Sequence, residues 1–328
     1  MIGSYARCVT ALLCLAGPGV APAAVCDCDN PAGPVAHYDF DHPDENDVST
    51  ERDQGSSGTP LWLVNGGGAM RVADEAYPGA GMALETRQVN PGRAGNDDWK
   101  AGVFEADGVA SLAAFSAVDG ITLAGWVKPT GHHPSPNSTT EDPDDRFGAV
   151  GLFGLLSGTS EGHLVRALLE IITVNGELRL VALGRRFDDG ESLLLVADGP
   201  WEALLPIGAW THIAATFDFD NGTMALYRNG VALPAAYTSD EDRWQVGGEP
   251  EPDMSSPSLP NGIKIGGSYP QNTQERNPFN GRFDDILFYG RSLGPEQVEL
   301  LYARYGAKPR GGLSKVALRV QPDVGLGP

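Results

Sequence analysis

Two adjacent aspartates, Asp284 and Asp285, stand in the middle of FNGRFDDILFY, Phe279 to Tyr289. Their neighbours alternate large apolar with polar residues, so the stretch reads as a strand whose side chains point to opposite faces in turn. Phe283, Asp285, Leu287 and Tyr289 would share one face, and Asp284, Ile286 and Phe288 the other. Whichever face is interior carries a carboxylate among apolar neighbours. A buried carboxylate must be hydrogen-bonded, paired with a cation, or bound to a metal.

Other catalytic arrangements are poorly represented. No H-E-x-x-H motif and no phosphate-cradling glycine loop occurs. Asp240, Glu241 and Asp242 are consecutive in a loop, where they splay apart, and Glu170 begins a strand run with no acid at the following even positions. His212 lies in a strand, and a general base needs an orienting partner nearby. Trp126 and Trp210 belong to strong strands and read as core. Trp99 and Trp244 sit in or beside loops, where an open ring can stack on a ligand, and are the candidate ligand-binding aromatics.

The elements that must position these groups are mostly strands. Val35 to Asp41, Leu61 to Val64, Gly81 to Glu85 and Ile121 to Val127 come first. Ala149 to Leu156, Leu164 to Thr173, Glu177 to Leu183 and Leu193 to Ala197 follow, then Thr211 to Asp218, Thr223 to Asn229, Val231 to Leu233 and Ile263 to Gly267. Asn175-Gly176 and Asn229-Gly230 are hairpin turn signals. The segment Gly294 to Tyr305 reads as a helix: Pro295 suits its first position, and Val298, Leu301, Tyr302 and Tyr305 recur on one face. Many short strands with hairpin turns predict an all-β, two-sheet antiparallel sandwich with one short C-terminal helix. Two polar inserts, His132 to Arg146 and Ser239 to Pro260, interrupt the pattern.

The 328 residues carry a formal net charge of −20, which disfavours nucleic acid and anionic membrane as partners and favours cations. Residues 1–23 read as a secretory signal: Arg7, an apolar run from Cys8 to Ala16, and small residues at Ala21 and Ala23. The run is too short to span a bilayer, so export to a secreted, periplasmic or cell-surface location without membrane insertion is expected. Residues 24–33 form a linker holding Cys26 and Cys28, a folded domain covers 34–306, and 307–328 is a basic tail.

The chain resembles the LamG-like jelly-roll domains, relatives of laminin G in the concanavalin A-like lectin/glucanase superfamily. Seven segments carry the likeness in order: VAHYDFD (Val35 to Asp41), GMALE (Gly81 to Glu85), ITLAGWVKP (Ile121 to Pro129), WTHIAATFD (Trp210 to Asp218), MALYRNGV (Met224 to Val231), IKIGG (Ile263 to Gly267) and FNGRFDDILFYGRSLGPEQVELLY (Phe279 to Tyr302). The resemblance implies a jelly roll whose first and last strands are close. Asp39 and Asp41 would then approach Asp284 and Asp285, and the loop Asn46 to Asp53 would add oxygens, Asp53 among them. Calcium takes six to eight such hard oxygens, so a calcium ion, structural in role, is the expected cofactor. The matching family position of His212 is a packing histidine. Retaining glucanases of the superfamily carry two glutamates about an aspartate on one strand, with carboxyls roughly 5–5.5 Å apart, and no strand here has that arrangement. The expectation is therefore a non-catalytic recognition module for a glycan or surface protein. A glycan-cleaving enzyme and a structural envelope or matrix module are the alternatives.

Overall fold

The computed structural model describes residues 33–89, 98–103, 118–131, 150–157, 165–185, 192–238, 260–267 and 279–306. The leader, Cys26, Cys28, Trp244, the first insert, nearly all of the second and the basic tail lie outside the described residues.

In chain order the first strands are β1 (Ala36–Tyr38), β2 (Thr50–Glu51), β3 (Leu61–Val64), β4 (Arg71–Ala73), β5 (Met82–Thr86), β6 (Lys100–Gly102), β7 (Gly120–Pro129) and β8 (Val150–Ser157). After β9 (Val165–Val174), β10 (Glu177–Arg185) and β11 (Ser192–Ala197) comes the one-turn helix α1 (Trp201–Leu204). Then follow β12 (Thr211–Asp218), β13 (Thr223–Arg228), β14 (Val231–Ala232), β15 (Ala235–Tyr237), β16 (Pro260–Ile265), β17 (Gly281–Tyr289) and helix α2 (Pro295–Gly306).

The strands form two antiparallel sheets. An eight-stranded sheet runs β14-β13-β12-β7-β17-β5-β4, with β1 also paired to β17; a nine-stranded sheet runs β15-β11-β10-β9-β8-β16-β6-β3-β2. Between them lies one core, with Ile121, Leu123, Val127, Phe283, Ile286 and Phe288 on one side and Phe153, Leu155, Leu169, Ile171 and Leu180 on the other. Each fully buried side chain of this size contributes about 1.5–3 kcal/mol. The expected hairpins form at Asn175-Gly176 (φ 50° and 79°) and Asn229-Gly230 (φ 50° and 79°). Both central residues there take the positive φ that a two-residue turn of this hand requires.

Helix α2 starts as expected: the Val298 N–H donates to the Gly294 carbonyl at 3.0 Å, and the Gln297 side chain accepts the Gly294 N–H at 3.1 Å. Its Val298 and Leu301 pack on Ala124, Ala214, Leu287 and Tyr289, which makes this the outer face of the eight-stranded sheet. Strands β2, β4, β6 and β15, each of two or three residues, are additional to those expected. Runs so short carry no periodicity to read.

Candidate functional site

Strand β17 holds the two aspartates, and its register departs from simple alternation. Asp284 pairs opposite Trp126 and Leu287 opposite Ala124, with a bulge between Asp284 and Leu287. Asp285, within the bulge, has φ 45°. A bulge inserts one extra residue into a strand, so Phe283, Ile286 and Phe288 all reach the core while Asp284 and Asp285 both turn to the outer face. This corrects the expected split, which put the two acids on opposite faces. The room comes from β7, where a side chain at Gly125 would run into Ile286.

The bulge falls at a break in the pairing. On the edge of β17 away from β7, Gly281, Arg282 and Phe283 pair with β5, whereas Ile286, Leu287 and Phe288 pair with β1. Asp284 and Asp285 stand where one neighbour ends and the other begins. Asp284 is fully buried; its Oδ1 accepts the Asp285 N–H at 2.8 Å and its Oδ2 has no partner. Burial, then the charge of Asp285, pushes its carboxyl up to about 10, and the charges of Asp41 and Asp39 add to this. Asp285 is engaged on both oxygens: His37 Nε2 lies 2.7 Å from Oδ1, and the Tyr77 hydroxyl donates to Oδ2.

The N-terminal acids arrive from the turn after β1. Asp39 Oδ1 accepts the Asp41 N–H at 3.2 Å and lies 2.8 Å from His42 Nδ1. Asp41 Oδ1 accepts the Met82 N–H at 2.8 Å, and partial desolvation raises its carboxyl, helped by Asp39 and Asp285. Glu51, buried, accepts the His42 N–H at 2.8 Å and pairs with Arg71. Single ligand atoms of Asp39, His42 and Glu51 lie within 4.8 Å of one another. Among the described residues, none donates a hydrogen bond to the Oδ2 oxygens of Asp39 and Asp41.

Of the five expected metal residues, Asp39, Asp41, Asp284 and Asp285 lie near enough to feel one another's charge, but no three of them bring ligand atoms within 4.8 Å of one another. Asp53 does not join them: its carboxylate is filled by the N–H groups of His37 (2.7 Å), Gly55 (2.6 Å) and Thr59 (3.3 Å) and by the Ser57 hydroxyl. It orders its own loop instead. Among the described residues only Asp39, His42 and Glu51 bring three ligand atoms within 4.8 Å of one another, and Glu51 is already paired with Arg71; the spare oxygens of Asp39, Asp41 and Asp284 do not form one such set.

Trp99 is not an open platform. The Arg87 guanidinium sits 3.7 Å over its ring, and a side chain at Gly66 would meet the ring at 2.7 Å. Among the described residues the exposed tryptophan ring is Trp62, 59% accessible in β3 between the buried Leu61 and Leu63. Alternation in LWLV was the signal for it. The partners His37, His42, Glu51 and Tyr77 were also missed; HYDFDH brackets the first acids with two histidines, whereas nothing near Tyr77 in the chain points to Asp285. His212 is buried beside Trp126 (5.4 Å) and Tyr302 (5.7 Å), and burial pulls its imidazole down to about 4. Glu170 pairs with Lys264 at 3.3 Å. A G-x-S-x-G match at residues 158–162 lies outside the described residues.

A family model for the concanavalin A-like lectin/glucanases superfamily matches residues 104–299. No curated protein sequence matches the chain. Among solved structures, the heptameric SAP-like pentraxin of Limulus polyphemus is 16% identical, with a TM-score of 0.39 over 60% of this chain and 76% of that one. A Trypanosoma rangeli sialidase in complex with 2,3-difluorosialic acid is 14% identical, TM-score 0.49, covering 84% of this chain and 34% of that one. The binding domain of botulinum neurotoxin serotype G is 13% identical, TM-score 0.49, covering 82% and 50%.

Proposed function

The chain belongs to the concanavalin A-like lectin/glucanase superfamily, and from that premise we propose that it is an exported, non-catalytic recognition module for a glycan or surface protein, stabilised by calcium. The observation that carries the calcium reading is Asp284: a fully buried carboxyl with one unpartnered oxygen, set among Asp285, Asp41 and Asp39 at the break between β5 and β1. Asp284 and one neighbouring carboxylate would hold the ion, with backbone carbonyls and water completing the six to eight oxygens that calcium takes, because no three of Asp39, Asp41, Asp284 and Asp285 bring ligand atoms within 4.8 Å of one another. Where no ion is bound, the buried carboxyl is neutralised by a proton instead.

Recognition rests on Trp62. A large aromatic ring on a strand, open to solvent and flanked by core residues, offers a rigid face for stacking on a sugar or an apolar side chain. The non-catalytic reading is supported by the neighbours of the buried acids. Glu170 is tied to Lys264, and Asp285 to His37 and Tyr77.

A glycan array probed with wild type and Trp62→Ala, in calcium and in chelator, tests the reading. The expected outcome is a glycan signal in calcium that Trp62→Ala loses. A signal untouched by Trp62→Ala would place recognition elsewhere on the surface.

A further inference from the structure

We infer that the group Trp62 takes up is a cation, the guanidinium or ammonium of a basic segment on a partner protein. This rests on the reading of Trp62 as the recognition surface and narrows its ligand to one chemistry. The chain's other tryptophans show the pattern. Over Trp99 the Arg87 guanidinium sits 3.7 Å from the ring centroid, and Arg87 Nη1 lies 3.6 Å from Glu85 Oε1. Over Trp210 lies Lys128 Nζ, 5.7 Å from the centroid and 2.8 Å from Asp74, which also accepts the Trp210 indole N–H. In both places an aromatic face and a carboxylate hold one cation between them. The negative face of the indole attracts the charge, and the carboxylate adds to that attraction. Trp126 and Trp201 are buried. Trp62 is open, and no cation of the described residues stands over it.

The carboxylate half of the pattern is nevertheless present at Trp62. Thr50 in β2 lies directly opposite Trp62, so the two side chains share a face. The Thr50 hydroxyl donates to Asp47 Oδ2 at 3.1 Å, and the Ser49 N–H donates to Asp47 Oδ1 at 2.9 Å. These two bonds fix the exposed Asp47 at the edge of that face and hold its carboxyl below the usual range, so it stays ionised. Asp44 and the exposed Glu45 belong to the same turn. Arg71, beyond the turn, is already engaged by Glu51 and by the carbonyls of Val48 and Thr50. On its other edge Trp62 pairs with Gly102, which has no side chain to lean on the ring. An open ring beside an uncompensated acidic turn, on a chain of net charge −20, is complementary to a positive partner.

Anisotropy titrations with labelled hexa-arginine and with hexacitrulline, which has the same shape without the charge, test this at physiological salt. Trp62→Leu keeps an apolar side chain but removes the ring, and Asp47→Asn removes the charge; both change exposed residues, and unchanged melting temperatures show that they fold. Hexa-arginine should bind wild type more tightly than hexacitrulline. Each substitution should weaken hexa-arginine about two- to fivefold and leave hexacitrulline unmoved. If Trp62→Leu leaves hexa-arginine binding unchanged, or weakens both peptides alike, the ring does not select a cation and the inference falls. A glycan-array signal that Trp62→Ala still abolishes would then keep Trp62 as the recognition surface. If Trp62 substitutions alter neither the array nor the peptides, that reading falls as well.

Discussion

At Asp284 the physics turns on a proton. Burial and the charge of Asp285 lift its carboxyl to about 10 in the cation-free protein, so at neutral pH the group carries its proton. Its folded value lies above its unfolded one, so its contribution to stability is full below pH ~4 and is lost as pH rises toward 10. Calcium needs the anion and must displace the proton. Calcium affinity is therefore expected to fall by close to tenfold for each pH unit lowered between about 9 and 6. Titrations in buffers of different ionisation enthalpy check this by counting close to one proton released per calcium. His212 has the opposite sign. Its imidazole is held neutral by burial, down to about 4, whereas the unfolded chain takes up a proton near 6.5. Stability is lost as pH falls from ~6.5 through ~4, by about 3 kcal/mol in all. Urea unfolding of His212→Gln across that range should show a flatter pH dependence than wild type.

At the scale of elements, β17 organises the site through a bulge. The strand itself was legible, since FNGRFDDILFY alternates, and so were the two Asn-Gly hairpins and α2, which carry local turn and capping chemistry. The bulge was not. Strict alternation predicts that Asp284 and Asp285 face opposite ways, and only the pairing to β7 on one edge and to β5 and β1 on the other reveals the extra residue. Gly125 is its counterpart, invisible until Ile286 is seen pressed against it. Gly125→Ala should force the bulge outward and destabilise the fold by ~1–3 kcal/mol, an overpacking cost. Equilibrium denaturation measures it, and calcium affinity should fall in step because Asp284 moves with the bulge. Asp53 shows a different limit of sequence reading: its residue type suits a metal, yet three N–H groups and a hydroxyl from its surroundings claim it first.

For the whole molecule, the site joins the two ends of the domain, β1 and the turn after it to β17, with the β4–β5 loop laid across both. That closeness of first and last strands was legible only through family resemblance, because no local pattern reports a contact between residues so far apart in the chain. Calcium bound at the proposed site would raise stability by mass action, by about 2.7 kcal/mol when free calcium is 100-fold above its dissociation constant. Trp62 lies on the other sheet, in β3, so Trp62→Ala should leave the calcium-dependent melting shift intact. The most direct measurement compares thermal melts of wild type and Asp284→Asn in EDTA and in excess calcium. The account predicts that calcium raises the wild-type melting temperature above its EDTA value and leaves Asp284→Asn unmoved. Identical wild-type melts in both conditions, or an equal calcium shift in Asp284→Asn, would contradict it.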